Sequence, residues 1–445
     1  MENIMNITIL GFGREGKSVL KFLKKSPKYR RASIEILDKA RNKNYLKNLS
    51  RFDLIFRSPG VPYQTSALFR ARCDGVKFSS ATILFFEAMR NMVRRGSPQV
   101  IGITGSKGKG TTATLLYKIL KTAKKDVYLV GNIGKSALDI LPRLTKNSWV
   151  IFELSSFQLQ DLPYSPHIAV VLDMFPEHLD HHKTLREYYG SKANIVRFQK
   201  PSDIAFYAKD NAVAVRTATK GRGKKIPMDT KSFSLFAPSE LRMPGMHNFK
   251  NAVAAARVAQ FLHISDHTIR KVAIAFRGNE HRLELVRSIS SASKSHSNVL
   301  KNIRMRFYND SASTNPHTTI AAIQAFPDTP KILIMGGQDK GLDYRLVAQA
   351  LRNSGTKLVI LVGENKKKIY RQLDVRSSKF DMIFVRNLAE AVRVAYRFAR
   401  LLTTRYSLLA IIFSPGAASF DMFQNYADRG TQFKKVVGGL TGKKK

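Results

Sequence analysis

Apolar positions along the chain gather into short, nearly continuous runs, separated by amphipathic stretches of helical period and by glycine-rich turns. Such alternation predicts parallel sheets covered by helices. The first run, residues 4–10, reads as a strand that ends in Gly11-Phe12-Gly13-Arg14-Glu15-Gly16 and leads into a helix through Leu23. A second strand, Ser33–Leu37, ends at Asp38, and a third, 53–56, runs into Arg57-Ser58-Pro59-Gly60. Strand Gln99–Thr104 opens a new set, followed by a helix over 113–120 and strands at Trp149–Glu153 and 168–173. Towards the C-terminus, strands at Lys331–Met335, 358–362, 382–385 and Leu408–Phe413 alternate with helices. No internal repeat of about 20 to 50 residues is evident.

Two punctuation points divide this pattern. Arg94-Arg95-Gly96-Ser97-Pro98 precedes the second set of strands, and the hinge-like Gly278-Asn279-Glu280-His281 precedes the third. The expected fold class is α/β in three domains. Residues 1–96 form an N-terminal Rossmann-like domain, 97–280 a central P-loop domain with a mainly parallel sheet, and 281–445 a C-terminal Rossmann-like domain. The serine-rich stretch 288–297 reads as an extended, exposed loop.

Composition narrows the setting. With Cys73 as the only cysteine, no intrachain disulfide is possible, which suits a reducing compartment. No basic segment followed by an apolar run opens the chain, and no stretch of about 18 uncharged apolar residues occurs. The expectation is a cytoplasmic protein without membrane insertion. Lys and Arg number 75 against 32 Asp and Glu, a formal charge of +43. So basic a chain suggests nucleic acid or an anionic membrane surface. The excess is dispersed, however, from Lys24, Lys25 and Lys28 through Arg94 and Arg95, Lys124 and Lys125 and 220–225 to 366–368 and 443–445. Solvated lysines that draw in anionic substrates fit this spread better than a dedicated surface, so no nucleic-acid partner is expected.

The chemistry concentrates after the strand Gln99–Thr104, in Gly105-Ser106-Lys107-Gly108-Lys109-Gly110-Thr111-Thr112. Glycines let successive N–H groups converge on phosphate oxygens, the helix start adds partial positive charge, and Lys109 can reach the outer phosphates. Gly110 stands where a Mg²⁺-binding hydroxyl is expected after the lysine. Strands ending at Glu153 and Asp173 deliver an acid and the loop 174–182 to the edge where open α/β sheets bind ligands. Three histidines in 178–182 lack zinc spacing. With Glu153 and phosphate oxygens nearby, an octahedral Mg²⁺ that keeps some waters suits them better. The earlier glycine turn, with Asp38 about 20 residues on, matches a dinucleotide fingerprint, which serves NAD or any other pyrophosphate-bearing ligand such as a nucleotide-sugar.

At this point the chain resembles the Mur ligases. The motifs are the loop 105–112, Gly131-Asn132-Ile133-Gly134, Glu153-Leu154-Ser155-Ser156-Phe157-Gln158-Leu159, His178-Leu179-Asp180-x-His182, Gly245-Met246-His247-Asn248-x-x-Asn251-Ala252, His281-Arg282-Leu283-Glu284, Asn309-Asp310-Ser311, Gly336-Gly337-x-Asp339-Lys340-Gly341, and Ser414-Pro415 with Ser419-Phe420-Asp421. They occur in order over nearly the whole chain. The Glu153–Leu159, Asn309–Ser311 and Ser419–Asp421 runs resemble the branch that adds D-glutamate.

The resemblance implies an ATP-dependent ligase of cytoplasmic peptidoglycan precursor synthesis, with UDP-N-acetylmuramoyl-L-alanine and D-glutamate as substrates and Mg²⁺ as cofactor. It implies catalytic roles for Lys109, Glu153, His178 and Lys192. Thr111, Glu153, His178 and a carbamylated Lys192 would hold Mg²⁺. ATP would meet Gly105, Ser106, Lys107, Gly108, Lys109, Gly110, Thr111, Thr112, Asn251, Arg282 and Asp310. The UDP moiety would meet Gly13, Arg14, Glu15, Gly16, Asp38, Lys39 and Ser58, with Asn132 orienting substrate. D-Glutamate would meet Thr314, Lys340, Ser419 and Phe420, and the site would complete itself as domains close. A monomer is expected. Ala312 departs from the lysine many members carry after Asn-Asp-Ser. Alternatives are another Mur-type or folylpolyglutamate-type ligase, a basic P-loop ATPase acting on nucleic acid, and an NAD-dependent oxidoreductase.

Overall fold

The computed structural model describes residues 4–92, 98–177, 181–294, 300–352, 354–373, 380–403 and 405–440. His178, the boundary residues Arg94 to Ser97 and the centre of the serine-rich stretch lie outside them. The chain forms two compact units, one of residues 1–235 with 250–273, the other of 236–249 with 274–445.

The first unit holds two sheets. Strands β1 (Asn6–Leu10), β2 (Ser33–Leu37), β3 (Leu54–Arg57) and β4 (Lys77–Ser79) pair in parallel in the order β2-β1-β3-β4. Strands β5 (Gln99–Thr104), β6 (Val127–Gly131), β7 (Trp149–Glu153), β8 (Ile168–Val171), β9 (Ile204–Ala208) and β10 (Lys224–Met228) form an all-parallel sheet, ordered β10-β9-β8-β5-β7-β6. Strand order reverses beside β1 in one sheet and beside β5 in the other. Both glycine turns follow these strands, and such reversals open the crevices in which α/β sheets take ligands.

The second unit carries β11 (Glu284–Lys294), β12 (Leu300–Asn309), β13 (Lys331–Met335), β14 (Thr356–Leu361), β15 (Asp381–Phe384) and β16 (Leu408–Phe413), ordered β11-β12-β16-β13-β14-β15. Among the described strands of this sheet only β11 runs antiparallel. Strand β13 is buried at every position, as a strand covered on both faces must be. The helix Leu388–Leu402 buries Leu388, Ala391, Val392, Ala395 and Ala399, a stripe of helical period, and starts where the Asn387 side chain accepts the Glu390 N–H.

Two expectations need correction. The stretch 288–297 is no loop as far as it is described: residues 284–294 form β11, paired antiparallel with β12 from Glu284↔Asn309 to Lys294↔Leu300. Ladder bonds to a neighbouring strand override the weak strand preference of serine. The helix after the phosphate loop begins at Lys109 rather than at 113, because the loop itself feeds its first turn.

Candidate nucleotide and substrate sites

The first glycine turn opens a cleft of ≈ 390 Å³ at the C-terminal edge of the β1–β3 sheet. Gly13, Arg14, Glu15, Asp38, Lys39, Ser58 and Asn132 all line it, and of the residues expected around a UDP moiety only Gly16 does not. Gly16 serves packing instead, since a Cβ there would stand 2.3 Å from the Gly11 carbonyl oxygen. Asp38 fastens the turn: Oδ2 accepts the Phe12 N–H at 2.5 Å and Oδ1 the Ala40 N–H at 2.8 Å, and these bonds hold its carboxyl below the usual range. Ser58 Oγ donates to the Gly11 carbonyl at 2.6 Å.

Arg14 and Glu15 turn their polar ends to the neighbouring sheet. Arg14 donates to the carbonyls of Gly131 (2.6 Å), Asn132 (3.1 Å) and Gly134 (3.1 Å). Glu15 Oε1 accepts Gln158 Nε2 at 2.7 Å, and burial raises its pKa against the pull of Gln158, Arg14 and Arg57.

The phosphate loop joins β5 to a helix, Lys109–Thr122, whose start has no side-chain cap. Its first N–H groups therefore suit an anion. Gly108 stands at φ +82, where a side chain strains the backbone, and a Cβ there would lie 2.0 Å from Asn251 Oδ1, which places Asn251 against the loop. Thr112 Oγ1 donates to the Asn251 carbonyl at 3.4 Å, and Thr111 stands beside it on the same turn. Lys109 Nζ folds back on the loop carbonyls of Gly105 (2.9 Å) and Ser106 (3.0 Å). Lys107 pairs with Glu177.

Lys192 reaches the same loop from the helix Leu185–Arg197. It is 1% exposed and its Nζ donates to the Gly105 carbonyl at 2.8 Å. Burial first, then the nearby Lys109, drives its pKa well below the usual lysine range, while Glu177 and Glu153 pull the other way. Glu153 is buried at the end of β7, its backbone carbonyl 3.3 Å from the Asn132 nitrogen. His182 is buried too, Nε2 at 3.0 Å from Ser156 Oγ and its ring stacked on Phe157. His178 lies outside the described residues. Among the described residues no three His, Cys, Asp or Glu side chains cluster as a metal site. A buried carboxylate and a buried lysine by a phosphate loop suit a hard cation that takes most of its oxygens from phosphate and water.

In the second unit Thr314 comes after β12, Lys340 after β13, and Ser419 and Phe420 after β16, three strands that neighbour one another in the sheet. Lys340 and Phe420 are exposed, with Nζ 5.4 Å from the ring centroid; Ser419 is buried and Thr314 exposed. Asp310 follows β12. Its Oδ1 accepts the Leu283 N–H (3.1 Å) and its Oδ2 the Ser414 hydroxyl (2.8 Å), yet burial raises its pKa to about 7. Arg282 is exposed between His281 and Leu283, both at positive φ (63 and 45), a strained turn of the kind found at ligand sites. Asn251 thus belongs to the unit of the phosphate loop, whereas Arg282 and Asp310 belong to the other.

Three supporting residues escaped the sequence reading. Tyr188 Oη lies 2.9 Å from Ser106 Oγ, one helical turn before Lys192, a spacing that could have revealed it. Arg429, wholly buried, donates to Ser311, Ala417 and Ala418, and burial lowers its pKa to about 10. Arg57 at the end of β3 is the third.

The Mur ligase middle domain matches residues 103–259. A UDP-N-acetylmuramoylalanine–D-glutamate ligase of Acetivibrio thermocellus is 34% identical over 89% of this chain and 84% of its own length. Its counterpart in Clostridium kluyveri is 31% identical over 98% of this chain and 96% of its own. Among solved structures, UDP-N-acetylmuramate-alanine ligase MurC from Thermotoga maritima has the same fold, with a TM-score of 0.55 at 16% identity, covering 98% of this chain and 100% of that one. The MurF ligase from Thermotoga maritima in complex with ADP gives 0.55 at 14% identity, covering 98% and 96%. The fold is that of three-domain α/β ligases. The chain belongs to the Mur ligase family.

Proposed function

We propose that this chain is an ATP-dependent ligase that joins D-glutamate to UDP-N-acetylmuramoyl-L-alanine in peptidoglycan precursor synthesis. The carrying observation is its identity, above 30% over 98% of its length, to a ligase named for that reaction.

A carboxylate forms no amide unaided, because its oxygen is a poor leaving group. In the reaction the L-alanyl carboxylate attacks the γ-phosphorus of ATP, releasing ADP and leaving an acyl phosphate. The D-glutamate nitrogen then attacks the acyl carbon, phosphate departs, and the nitrogen gives up a proton. Both partners in the first step are anions, so the site must screen their repulsion. Lys109 and the uncapped N–H groups of its helix suit that task, and Asn251 supports the nucleotide beside them. Arg282 and Asp310 would also engage the nucleotide, and Lys340, Ser419, Phe420 and Thr314 would take D-glutamate, with Lys340 meeting a carboxylate.

Mg²⁺, held by Glu153, Thr111, His178 and a carbamylated Lys192, would supply charge stabilisation on the transferring phosphoryl group. Carbamylation turns a cation into a carboxylate-like ligand, and the buried position of Lys192 at the Gly105 carbonyl supports it. The Lys192→Ala variant should lose activity and regain part of it with a small added carboxylate; full activity without additives removes Lys192 from the site. Among the described residues no helix is long and apolar enough to cross a membrane. A cytoplasmic monomer is the reading we adopt.

The test is phosphate release from ATP with Mg²⁺ and UDP-N-acetylmuramoyl-L-alanine, offering D-glutamate, L-glutamate, L-lysine, meso-diaminopimelate or L-alanine. Release with product only for D-glutamate supports the proposal. Turnover with another amino acid alone, or with none, refutes it.

A further inference from the structure

Arg57 closes β3 as a long cation that points into the protein, and it is 2% exposed. Its guanidinium is shared among three segments. Nη1 donates to the Val61 carbonyl at 2.9 Å, on the wall of the UDP cleft. Nη2 donates to the Phe157 carbonyl at 3.0 Å. Nε and Nη2 both reach Asp161 Oδ2, at 3.2 and 3.1 Å. The Tyr63 ring covers the cation at 5.1 Å. A planar fork can hold several acceptors in fixed directions at once, which the point charge of lysine cannot.

The two ends of this junction matter for different parts of one substrate. Val61 ends the loop Ser58-Pro59-Gly60-Val61, tied through Ser58 to the glycine turn of the cleft. Phe157 lies in the first turn of the short helix Ser156–Leu159, four residues after Glu153, and carries the stacked ring of His182. A nucleotide-linked substrate lies with its UDP end in the cleft and must present its far carboxylate beside the phosphate loop. The distance and angle between the two sheets set whether it arrives in reach. Further ties lie alongside, from Gln158 to Glu15, from Ser18 to Asp139 at 3.1 Å and from Arg14 to the carbonyls of Gly131, Asn132 and Gly134.

Resting on the functional reading above, we infer that Arg57 is a positioning residue that sets the register between the UDP cleft and the phosphate loop. It touches no reacting atom; it decides where the far end of the substrate falls. The consequence is a split between ligands. UDP alone occupies the cleft and needs no register, whereas UDP-N-acetylmuramoyl-L-alanine spans both parts.

The experiment compares wild type, Arg57→Lys and Asp161→Asn by calorimetric binding of UDP and of the full substrate, with thermal melts and steady-state kinetics. The expected result is a cooperative melt, UDP affinity within about twofold of wild type, and full-substrate affinity and kcat each down about tenfold or more, since a displacement of about 1 Å costs that much. KM for ATP should stay put. If UDP and full-substrate affinity fall by the same factor, or neither falls, the inference is overturned. Should Arg57→Lys fail to fold, Asp161→Asn, which removes the charge that orients the guanidinium towards Val61 and Phe157, decides by the same ratio. A wild-type protein that binds UDP but not the full substrate refutes the functional reading, not the role of Arg57.

Discussion

Asp310 shows what a buried carboxyl costs the fold. Burial raises its carboxyl to about 7 although Leu283, Ser414, Arg282 and Arg429 all pull it down. Because the folded pKa lies above the unfolded value of 3.8, the folded state binds the proton more tightly. The contribution to stability is therefore present at low pH and lost as pH rises through about 7. Asp310→Asn removes that loss: its Oδ1 still accepts the Leu283 N–H and its amide can donate to Ser414 Oγ. The variant should gain on wild type as pH rises from about 5 to about 8, reaching about 2 kcal/mol in thermal unfolding, while ligase activity drops. A stability difference independent of pH would contradict this. The phosphate loop and Glu153 were legible in the sequence because a contiguous run and a strand end mark them, whereas Lys192, inside a helix, was marked only by the family resemblance. Arg57 and Arg429 were not, since their partners lie 100 and 118 residues away and no local pattern marks a side chain that ties remote segments; Tyr188, whose partner lies 82 residues away, carried only the one-turn spacing before Lys192 as a signal.

At the scale of elements, the parallel strands were readable because burial on both faces writes them as unbroken apolar runs, as in β13. The hairpin of β11 and β12 was hidden for the opposite reason: β11 stands at the sheet edge and is rich in serine, so pairing rather than burial defines it. Its Arg287 caps the C-terminal helix Tyr426–Gly438, with Nη1 donating to the carbonyls of Val437, Gly438 and Leu440, where a cation also meets the helix dipole. A conflict between element and residue sits at the start of β13. Lys331 is fully buried, and its Nζ has no hydrogen-bond partner among the described residues. Desolvation lowers its pKa to about 8, from 10.5. A depressed lysine contributes fully only above its unfolded pKa, and that contribution is lost as pH falls through about 8. Lys331→Met, of similar length and apolar, should stabilise the protein at pH 7 by about 2 kcal/mol, and the gain should shrink towards pH 10. Chemical denaturation at the two pH values measures it; a destabilised variant at pH 7 would mean the amine is satisfied in solution.

For the molecule as a whole the formal charge of +43 is the property that neither fold nor family explains. It acts in two opposed ways, and salt separates them. All three substrates of the proposed reaction are anions, so a positive field speeds their capture, and screening shortens its reach from about 10 Å at 0.1 M salt to about 3 Å at 1 M. The same cations repel one another, and that repulsion works against the compact state until salt screens it. Raising KCl from about 0.05 to about 0.5 M should therefore lower kcat/KM for the UDP-substrate several-fold with kcat nearly unchanged, while the melting temperature climbs. A nucleic-acid-dependent ATPase behaves differently: polynucleotide would stimulate its phosphate release at low salt, and the stimulation would vanish steeply as salt rises. Here polynucleotide should inhibit, by competing for the field without entering the chemistry. Stimulation of ATP turnover by polynucleotide would give the charge a partner of its own; a salt-independent kcat/KM would show that capture relies on contacts inside the clefts and not on the field around them.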